Sequence, residues 1–212
     1  MGKRVHFAGM LALLFGNAVG AASLDAGKAI VLQGNGKANT ACIACHGAEG
    51  AGNAQASFPQ LARLNADYLA KQIRDFQRGA RKDVLMQPVA QALSETQIAD
   101  VTAYFAAQHP PAPAVADPLL LARGARLAVS GFWEKDIPAC ISCHGPGGRG
   151  VGGYFPALAG QHASYIAKQL NAWRNGTRAN DPQGLMKGIA LRLPAGDIPA
   201  VSAYFASLPS AP

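Results

Sequence analysis

The chain has 212 residues, of which 50% are hydrophobic and 15% are charged, and its formal net charge is +7 at pH 7. The basic residues are scattered and form no run interleaved with aromatic residues, which argues against a nucleic-acid-binding surface and favours a solvated one. This length suffices for one domain or for two small ones.

Residues 1–22 have the pattern of a secretory signal peptide. Lys3 and Arg4 form a basic start, an apolar stretch follows, and small residues precede Ser23. We expect cleavage near Ala22–Ser23, which lowers the net charge from +7 to +5. The apolar stretch is short for a membrane span and is interrupted by polar and glycine residues, so an uncleaved anchor is disfavoured. The sequence therefore predicts export to the periplasm.

The apolar residues that follow have helical spacing. A first helix is predicted from Asp25 to Leu32, and Ser94 with Gln97 forms a capping box that opens a later helix. Apolar residues recur at helical intervals between these two segments and on the later helix, at Leu69, Ile73 and Phe76 and at Ile98, Val101 and Phe105. No stretch has convincing strand character, so the sequence predicts an all-α protein with long loops.

The same features occur twice in the same order. CIACHG at 42–47 matches CISCHG at 140–145, and FPQLARLNADYLAKQI at 58–73 matches FPALAGQHASYIAKQL at 155–170 with an offset of 97. AYFA at 103–106 returns at 203–206. The second copy has its own predicted first helix, Leu119 to Val129, and its own last helix with Pro199 near the start. We infer a duplicated domain.

A proline-rich segment separates the two copies. Residues 109–117, with Pro118 directly after them, favour an extended connection that cannot continue a helix. We therefore predict a first domain at 23–108, a linker at 109–117 and a second domain at 118–212. Each domain is small and has few aromatic residues, so a large apolar cofactor would help to stabilise it.

The cysteines occur only in the two repeated hexapeptides, as Cys42 and Cys45 and as Cys140 and Cys143. Two disulfides or a four-thiolate zinc site would leave the histidine after each pair without a role. A thioredoxin-like redox pair requires a strand followed by a helix, and the sequence predicts no strand. Covalent haem attachment uses every residue of C-x-x-C-H, because the thiols bind the vinyl groups and the histidine binds the iron. The sequence predicts two haem c groups, with His46 and His144 as axial ligands.

Two methionines remain after removal of the signal peptide, Met86 and Met186, and they occupy equivalent places in the two copies. Methionine is often only a flexible core residue. Its register with both haem motifs favours thioether ligation of each iron. His162 is the competing ligand, but its counterpart is Asn65 and both precede a helix, so we expect it to be a polar helix-start residue. The loop GPGGRGVGG at 145–153 lacks a phosphate-binding ending and is expected to fold around the haem edge.

With these residues in place, the mature chain resembles the dihaem cytochrome c4 family, in which two class I cytochrome c domains stand in tandem. The resemblance extends over about residues 24–208 and depends on the paired haem motifs, the FP dipeptide after each, the single methionine per domain and the proline-rich link. It implies that the carbonyls of Pro59 and Pro156 accept the N–H groups of His46 and His144. It also implies that Gly27 and Gly124 lie where the first helix of each domain crosses the last.

The resemblance further implies a soluble one-electron carrier of a respiratory chain that donates to a terminal oxidase and is reduced by an upstream reductase. We expect the protein not to be an enzyme and to bind no small-molecule substrate or nucleic acid. Peripheral association with the membrane surface is compatible with this role. The alternatives are a cytochrome subunit of a periplasmic dehydrogenase and a dihaem peroxidase. A methionine for each haem disfavours the peroxidase, which must leave one iron position open for its substrate.

Overall fold

The structure is a computed structural model that describes residues 21–37, 41–109, 112 and 114–210. The predicted signal peptide lies outside the described residues except for Ala21 and Ala22, and so do three prolines of the predicted linker. Within the described ranges the chain is helical and contains isolated β-bridges but no strand. The all-α prediction is confirmed.

Five α-helices follow one another in the described part of the first domain. Ser23 begins the first by accepting a hydrogen bond from Ala26 N–H, and Ser94 and Gln97 form the predicted capping box at the start of the fifth. The helices are α1 (Leu24–Gln33), α2 (Ile43–His46), α3 (Ala66–Gln77), α4 (Met86–Gln91) and α5 (Glu95–Ala106).

The second domain repeats this order of α-helices and has a short 3₁₀ helix between each successive pair of them. Asp117 begins its first helix by accepting from Leu119 N–H, and Pro118 occupies the first turn, where its missing N–H costs nothing. The helices are α6 (Pro118–Ser130), α7 (Ile141–His144), α8 (Ala163–Arg174), α9 (Leu185–Arg192) and α10 (Ile198–Ser207). No helix among the described residues has both the length and the apolar character needed to cross a bilayer.

The first and last helices of each domain cross at a glycine. A Cβ on Gly27 would lie 2.2 Å from the carbonyl oxygen of Asp100, and one on Gly124 would lie 2.2 Å from that of Ala200. Only glycine permits this approach of two backbones. The crossings predicted at Gly27 and Gly124 are therefore present, α1 against α5 and α6 against α10.

Each domain has its own apolar core. Helical spacing brings the periodic apolar residues of each repeat together, and their burial stabilises the domain by roughly 1.5–3 kcal/mol for each large side chain. The first core contains Val31, Leu64, Leu69, Val101, Tyr104 and Phe105. The second contains Ala128, Ile137, Ile166, Leu170, Trp173, Ala190, Leu193, Ile198, Val201 and Phe205.

Candidate functional site

Each C-x-x-C-H segment forms a single helical turn. The N–H of His46 donates to the carbonyl of Cys42 at 2.9 Å, and His144 makes the same bond to Cys140 at 2.9 Å. Both cysteines and the histidine of each motif line the cavity described below, and none of the four sulfurs forms a disulfide. One turn thus presents two thiols and an imidazole to the same space.

The two histidine rings are held by proline carbonyls. His46 Nδ1 lies 3.1 Å from Pro59 O, and His144 Nδ1 lies 2.8 Å from Pro156 O. Because a carbonyl only accepts, Nδ1 carries the proton in each ring and Nε2 keeps its lone pair. Burial lowers the pKa of both histidines, although the proline carbonyls act in the opposite direction. Both rings are therefore in the neutral form that binds a metal.

Glycines allow each proline carbonyl to come close to its histidine turn. Gly52 and Gly150 have positive φ angles, and a Cβ on Gly52 would lie 2.6 Å from Pro59 O. Their N–H groups donate to the carbonyls of His46 and His144. A side chain at either position would separate the loop from the histidine turn.

Met86 and Met186 stand at the start of equivalent short helices. Met86 is the first residue of α4 and Met186 the second of α9. Both are partly buried and line the same cavity as the histidines. Asp83 accepts from the N–H of Met86 at 3.1 Å and so fixes the start of α4. The structure brings these methionines into the space that the C-x-x-C-H turns face.

A single cavity of about 1110 Å³ passes through both domains. It is larger than the roughly 300–1,000 Å³ of an ordinary ligand pocket. Its lining is mainly aliphatic and aromatic, as a porphyrin requires, and it contains both sets of cysteine, histidine and methionine. Thiols for two vinyl groups and a nitrogen and a sulfur for iron are the donor set of haem c. The residues present therefore fit two haem c groups.

The other uses of the cysteines find no support in the geometry. Among the described residues no three His, Cys, Asp or Glu side chains converge as a metal site would require.

The loop at 145–153, predicted to surround the haem edge, does not line the large cavity. Its Gly148 instead packs against Phe205, where a Cβ would lie 2.6 Å from the ring. Gly148 therefore serves contact with the last helix and Gly150 the approach to the His144 turn, while the folding of this loop around a haem edge stays a prediction.

His162 does begin a helix, but its side chain does not cap that helix. It occupies the N-cap position of α8, and its Nε2 lies 2.8 Å from Ala51 O in the first domain. Its counterpart Asn65 caps α3 by accepting from Tyr68 N–H. The repeats therefore differ here, and His162 serves the contact between domains.

Two arginines line the cavity, although the scattered basic residues of the sequence predicted a solvated surface for them. Arg81 and Arg178 are 8% and 6% exposed and form an antiparallel bridge between the domains. Each guanidinium lies over an aromatic ring of its own domain, Arg81 over Phe76 and Arg178 over Trp173. Burial of these cations contradicts the expectation of solvated charge.

Neutral side chains from both domains surround these guanidinium groups. Arg81 donates to Gln72, Gln169 and the hydroxyl of Tyr165 at 2.8–2.9 Å. Arg178 donates to Gln169 at 2.8 Å and to Gln72 at 3.2 Å. The sequence carried one signal of this cluster, since its arginines, glutamines and tyrosines recur at the offset of 97.

The cytochrome c family model matches residues 25–108 and 121–209. A thiosulfate dehydrogenase electron acceptor from Stutzerimonas stutzeri (strain A1501) is 46% identical over 210 residues, which is 97% of this chain and 96% of that protein.

Two solved structures are similar to the whole fold. Reduced recombinant cytochrome c4 from Pseudomonas stutzeri matches with a TM-score of 0.79 and 37% identity, over 89% of this chain and 100% of that chain. The thiosulfate dehydrogenase TsdBA from Marichromatium purpuratum matches with a TM-score of 0.80 and 42% identity, over 88% of this chain. The match spans 40% of that longer protein.

Proposed function

The chain belongs to the cytochrome c family, as a dihaem electron carrier of the cytochrome c4 kind with two covalent haem c groups, and on that premise we propose how its residues bind the haems and which partners it serves. The mature chain divides into a first domain at 23–108 and a second domain at 118–212. Each domain binds one haem.

Four cysteines attach the haems, Cys42 and Cys45 in the first domain and Cys140 and Cys143 in the second. His46 and His144 supply the proximal nitrogen of each iron, and Met86 and Met186 supply the distal sulfur. Pro59 and Pro156 orient the imidazoles through the Nδ1 hydrogen bonds, which increase the basicity of the ligand. The observation that carries this assignment is the pair of buried histidines whose Nδ1 is occupied by a proline carbonyl while both rings line one cavity.

Bound haem supplies an iron that changes between the ferric and ferrous states by one electron. The mainly apolar lining of the cavity would exclude water from the haems, and the histidine and methionine of each domain would hold the iron in both redox states. Fixed ligands limit the rearrangement on electron transfer. We therefore propose a carrier and not an enzyme, and a methionine for each iron disfavours the peroxidase alternative.

Exposed apolar side chains next to the methionines form the docking surfaces of the proposal. Val84 and Leu85, which precede Met86, are 90% and 56% exposed, and Leu185, which precedes Met186, is 53% exposed. Lys187 and Arg192 are exposed on α9 beside the second surface. Redox proteins with an apolar docking patch fit the first surface, and a patch rimmed by acidic residues fits the second.

The proposed place of the protein is the periplasm, after cleavage of the signal peptide near Ala22. There it takes electrons from an upstream oxidoreductase and donates them to a terminal oxidase. A second candidate is the acceptor of a periplasmic dehydrogenase. The relative named a thiosulfate dehydrogenase electron acceptor, which is 46% identical, is consistent with this role, although relatives named cytochrome c4 are 42% and 43% identical.

A visible spectrum and rapid-mixing kinetics test the proposal. The purified protein should show two low-spin haem c groups in both redox states and should be oxidised by a terminal oxidase in one-electron steps. It should show no turnover with hydrogen peroxide. Fast reduction by a thiosulfate dehydrogenase, with slow oxidation by terminal oxidases, would favour the second candidate. A high-spin ferric haem with peroxide turnover would reject the carrier.

A further inference from the structure

A glutamine of the second domain binds the main chain of the first domain at two points. Gln60 N–H donates to Gln161 Oε1 at 2.9 Å, and Gln161 Nε2 donates to Gln60 O at 2.9 Å. The two residues are 2% and 5% exposed, so water does not compete for these bonds. Gln161 therefore holds this short stretch of main chain in place.

The peptide group held by Gln161 is the one that orients His46. The Pro59 carbonyl and the Gln60 N–H belong to a single planar peptide unit. The carbonyl accepts from His46 Nδ1 while the N–H donates to Gln161. A peptide that donates a hydrogen bond becomes a better acceptor, by about 10–30% per bond. A continuous path of hydrogen bonds thus runs from the second domain to the proximal histidine of the first.

The second domain has no equivalent arrangement. Its orienting peptide joins Pro156 to Ala157, and the residue that matches Gln161 at the offset of 97 is Leu64. A leucine side chain can neither accept nor donate a hydrogen bond. Leu64 belongs to the apolar cluster of the first domain, against which Ala157 packs. The pseudo-symmetry of the two domains is broken at this contact.

We propose that Gln161 is a positioning residue through which the second domain tunes the redox potential of the first-domain haem. The inference rests on the proposed role of His46 as an iron ligand. A stronger Nδ1–H···O bond makes the imidazole more basic, which stabilises ferric iron and lowers the potential.

The lengths of the two histidine–proline hydrogen bonds, taken alone, would make the bond to His46 weaker, which is opposite to the effect of Gln161. The Nδ1–O distance is 3.1 Å for His46 and 2.8 Å for His144, which by itself makes the His46 bond the weaker one. Polarisation by Gln161 offsets this difference. Removal of Gln161 takes away the polarisation and also loosens the peptide, and both effects weaken the bond to His46.

The test is a redox titration of the holoprotein followed by NMR, which resolves the two haems. In Gln161→Leu, which copies the residue at position 64, the potential of the first haem should rise while that of the second stays unchanged. The His46 Nδ1 proton should exchange with solvent faster than in the parent protein. An unchanged first potential, a fall in it, or an equal rise of both potentials would overturn the proposal.

Two further variants separate tuning from loosened packing. Gln161→Glu loses the donor to Gln60 O but keeps an acceptor for Gln60 N–H, and its carboxylate adds negative charge that stabilises ferric iron, so the first potential should not rise. Ser164→Ala removes the 2.6 Å bond from Ser164 Oγ to Ala54 O, another contact between domains, without touching the orienting peptide. It should leave both potentials unchanged, and a rise equal to that of Gln161→Leu in either variant contradicts the proposal.

The parent protein shows whether the underlying ligand assignment holds. An iron-bound imidazole gives ring proton signals shifted far from those of a free histidine. Absence of such signals for His46 would reject its role as a ligand. Their presence, together with a potential that ignores Gln161, would reject the tuning role alone.

Discussion

Arg81 and Arg178 meet across the domain boundary, and each guanidinium donates to the side-chain oxygens of both Gln72 and Gln169. The two arginines are related by the repeat, and each bonds to its own domain and to the other. Both line the cavity that contains the two proposed sets of haem-binding residues. Two buried positive charges therefore act on both haems, and they favour the ferrous state because reduction adds a negative charge.

Arg81→Gln should lower the potentials of both haems. A buried charge acts through an effective dielectric constant of about 20 instead of the roughly 80 of water, so its loss should lower each potential by an amount on the order of tens of millivolts. A redox titration followed by NMR measures each potential. Arg126 is exposed on α6, so Arg126→Gln makes the same charge change in solvent and should shift both potentials far less.

Arg81→Lys separates charge from hydrogen bonding. Lysine keeps the positive charge but cannot reproduce the planar guanidinium fork. Its potentials should stay closer to those of the parent protein than those of Arg81→Gln. Equal shifts in Arg81→Gln and Arg126→Gln would show that the buried position has no special effect.

Covalent attachment can be removed from one domain at a time. The Cys42→Ala/Cys45→Ala double variant should lose one haem and keep the other, because the second motif is intact. Mass spectrometry after acid extraction should show the parent chain with two haem masses and the variant with one. The matching variant at Cys140 and Cys143 is the control, and zinc or two disulfides in the parent protein would refute the assignment.

The proposed methionine ligands should have a spectroscopic signature in the ferric protein. Weak absorption at the red end of the spectrum reports the bond between sulfur and iron. It should halve in Met86→Ala and in Met186→Ala and should disappear when both substitutions are combined. Persistence of the band in the double variant would require a different sulfur ligand, and none is expected elsewhere in the mature chain.

Gly124→Ala should destabilise the second domain. The new Cβ would lie 2.2 Å from Ala200 O and 2.6 Å from Tyr204 Cβ, so α6 and α10 must separate. Overpacking costs about 1–3 kcal/mol, which exceeds the gain in helix propensity of roughly 1 kcal/mol. Chemical denaturation of the holoprotein measures the loss.

Gly196→Ala is the matched control for Gly124→Ala. No heavy atom lies within 4 Å of a Cβ at Gly196, and the residue is exposed. Its free energy of unfolding should change by less than about 0.5 kcal/mol. A Gly124→Ala protein as stable as this control would show that the two helices do not need the glycine contact.

Local chemistry determined much of this protein from the sequence alone. The helices at 94–105 and 119–129 could be predicted because caps and apolar spacing act within one element. The helix crossings at Gly27 and Gly124 could be predicted through the family resemblance. The cysteines and histidines could be identified as candidate haem-binding residues because haem attachment needs them within five consecutive residues. Because the domain is duplicated, each inference made for one copy also applies to the equivalent residues of the other copy.

Tertiary structure alone decided how the two domains meet. Arg81 and Arg178 looked like surface charges, because no local pattern shows that a distant helix will cover a side chain. Gln161 looked like any polar residue before a helix, and only packing places it on the peptide after Pro59. Contacts between residues about 100 positions apart depend on the docking of complete surfaces, which local periodicity does not encode.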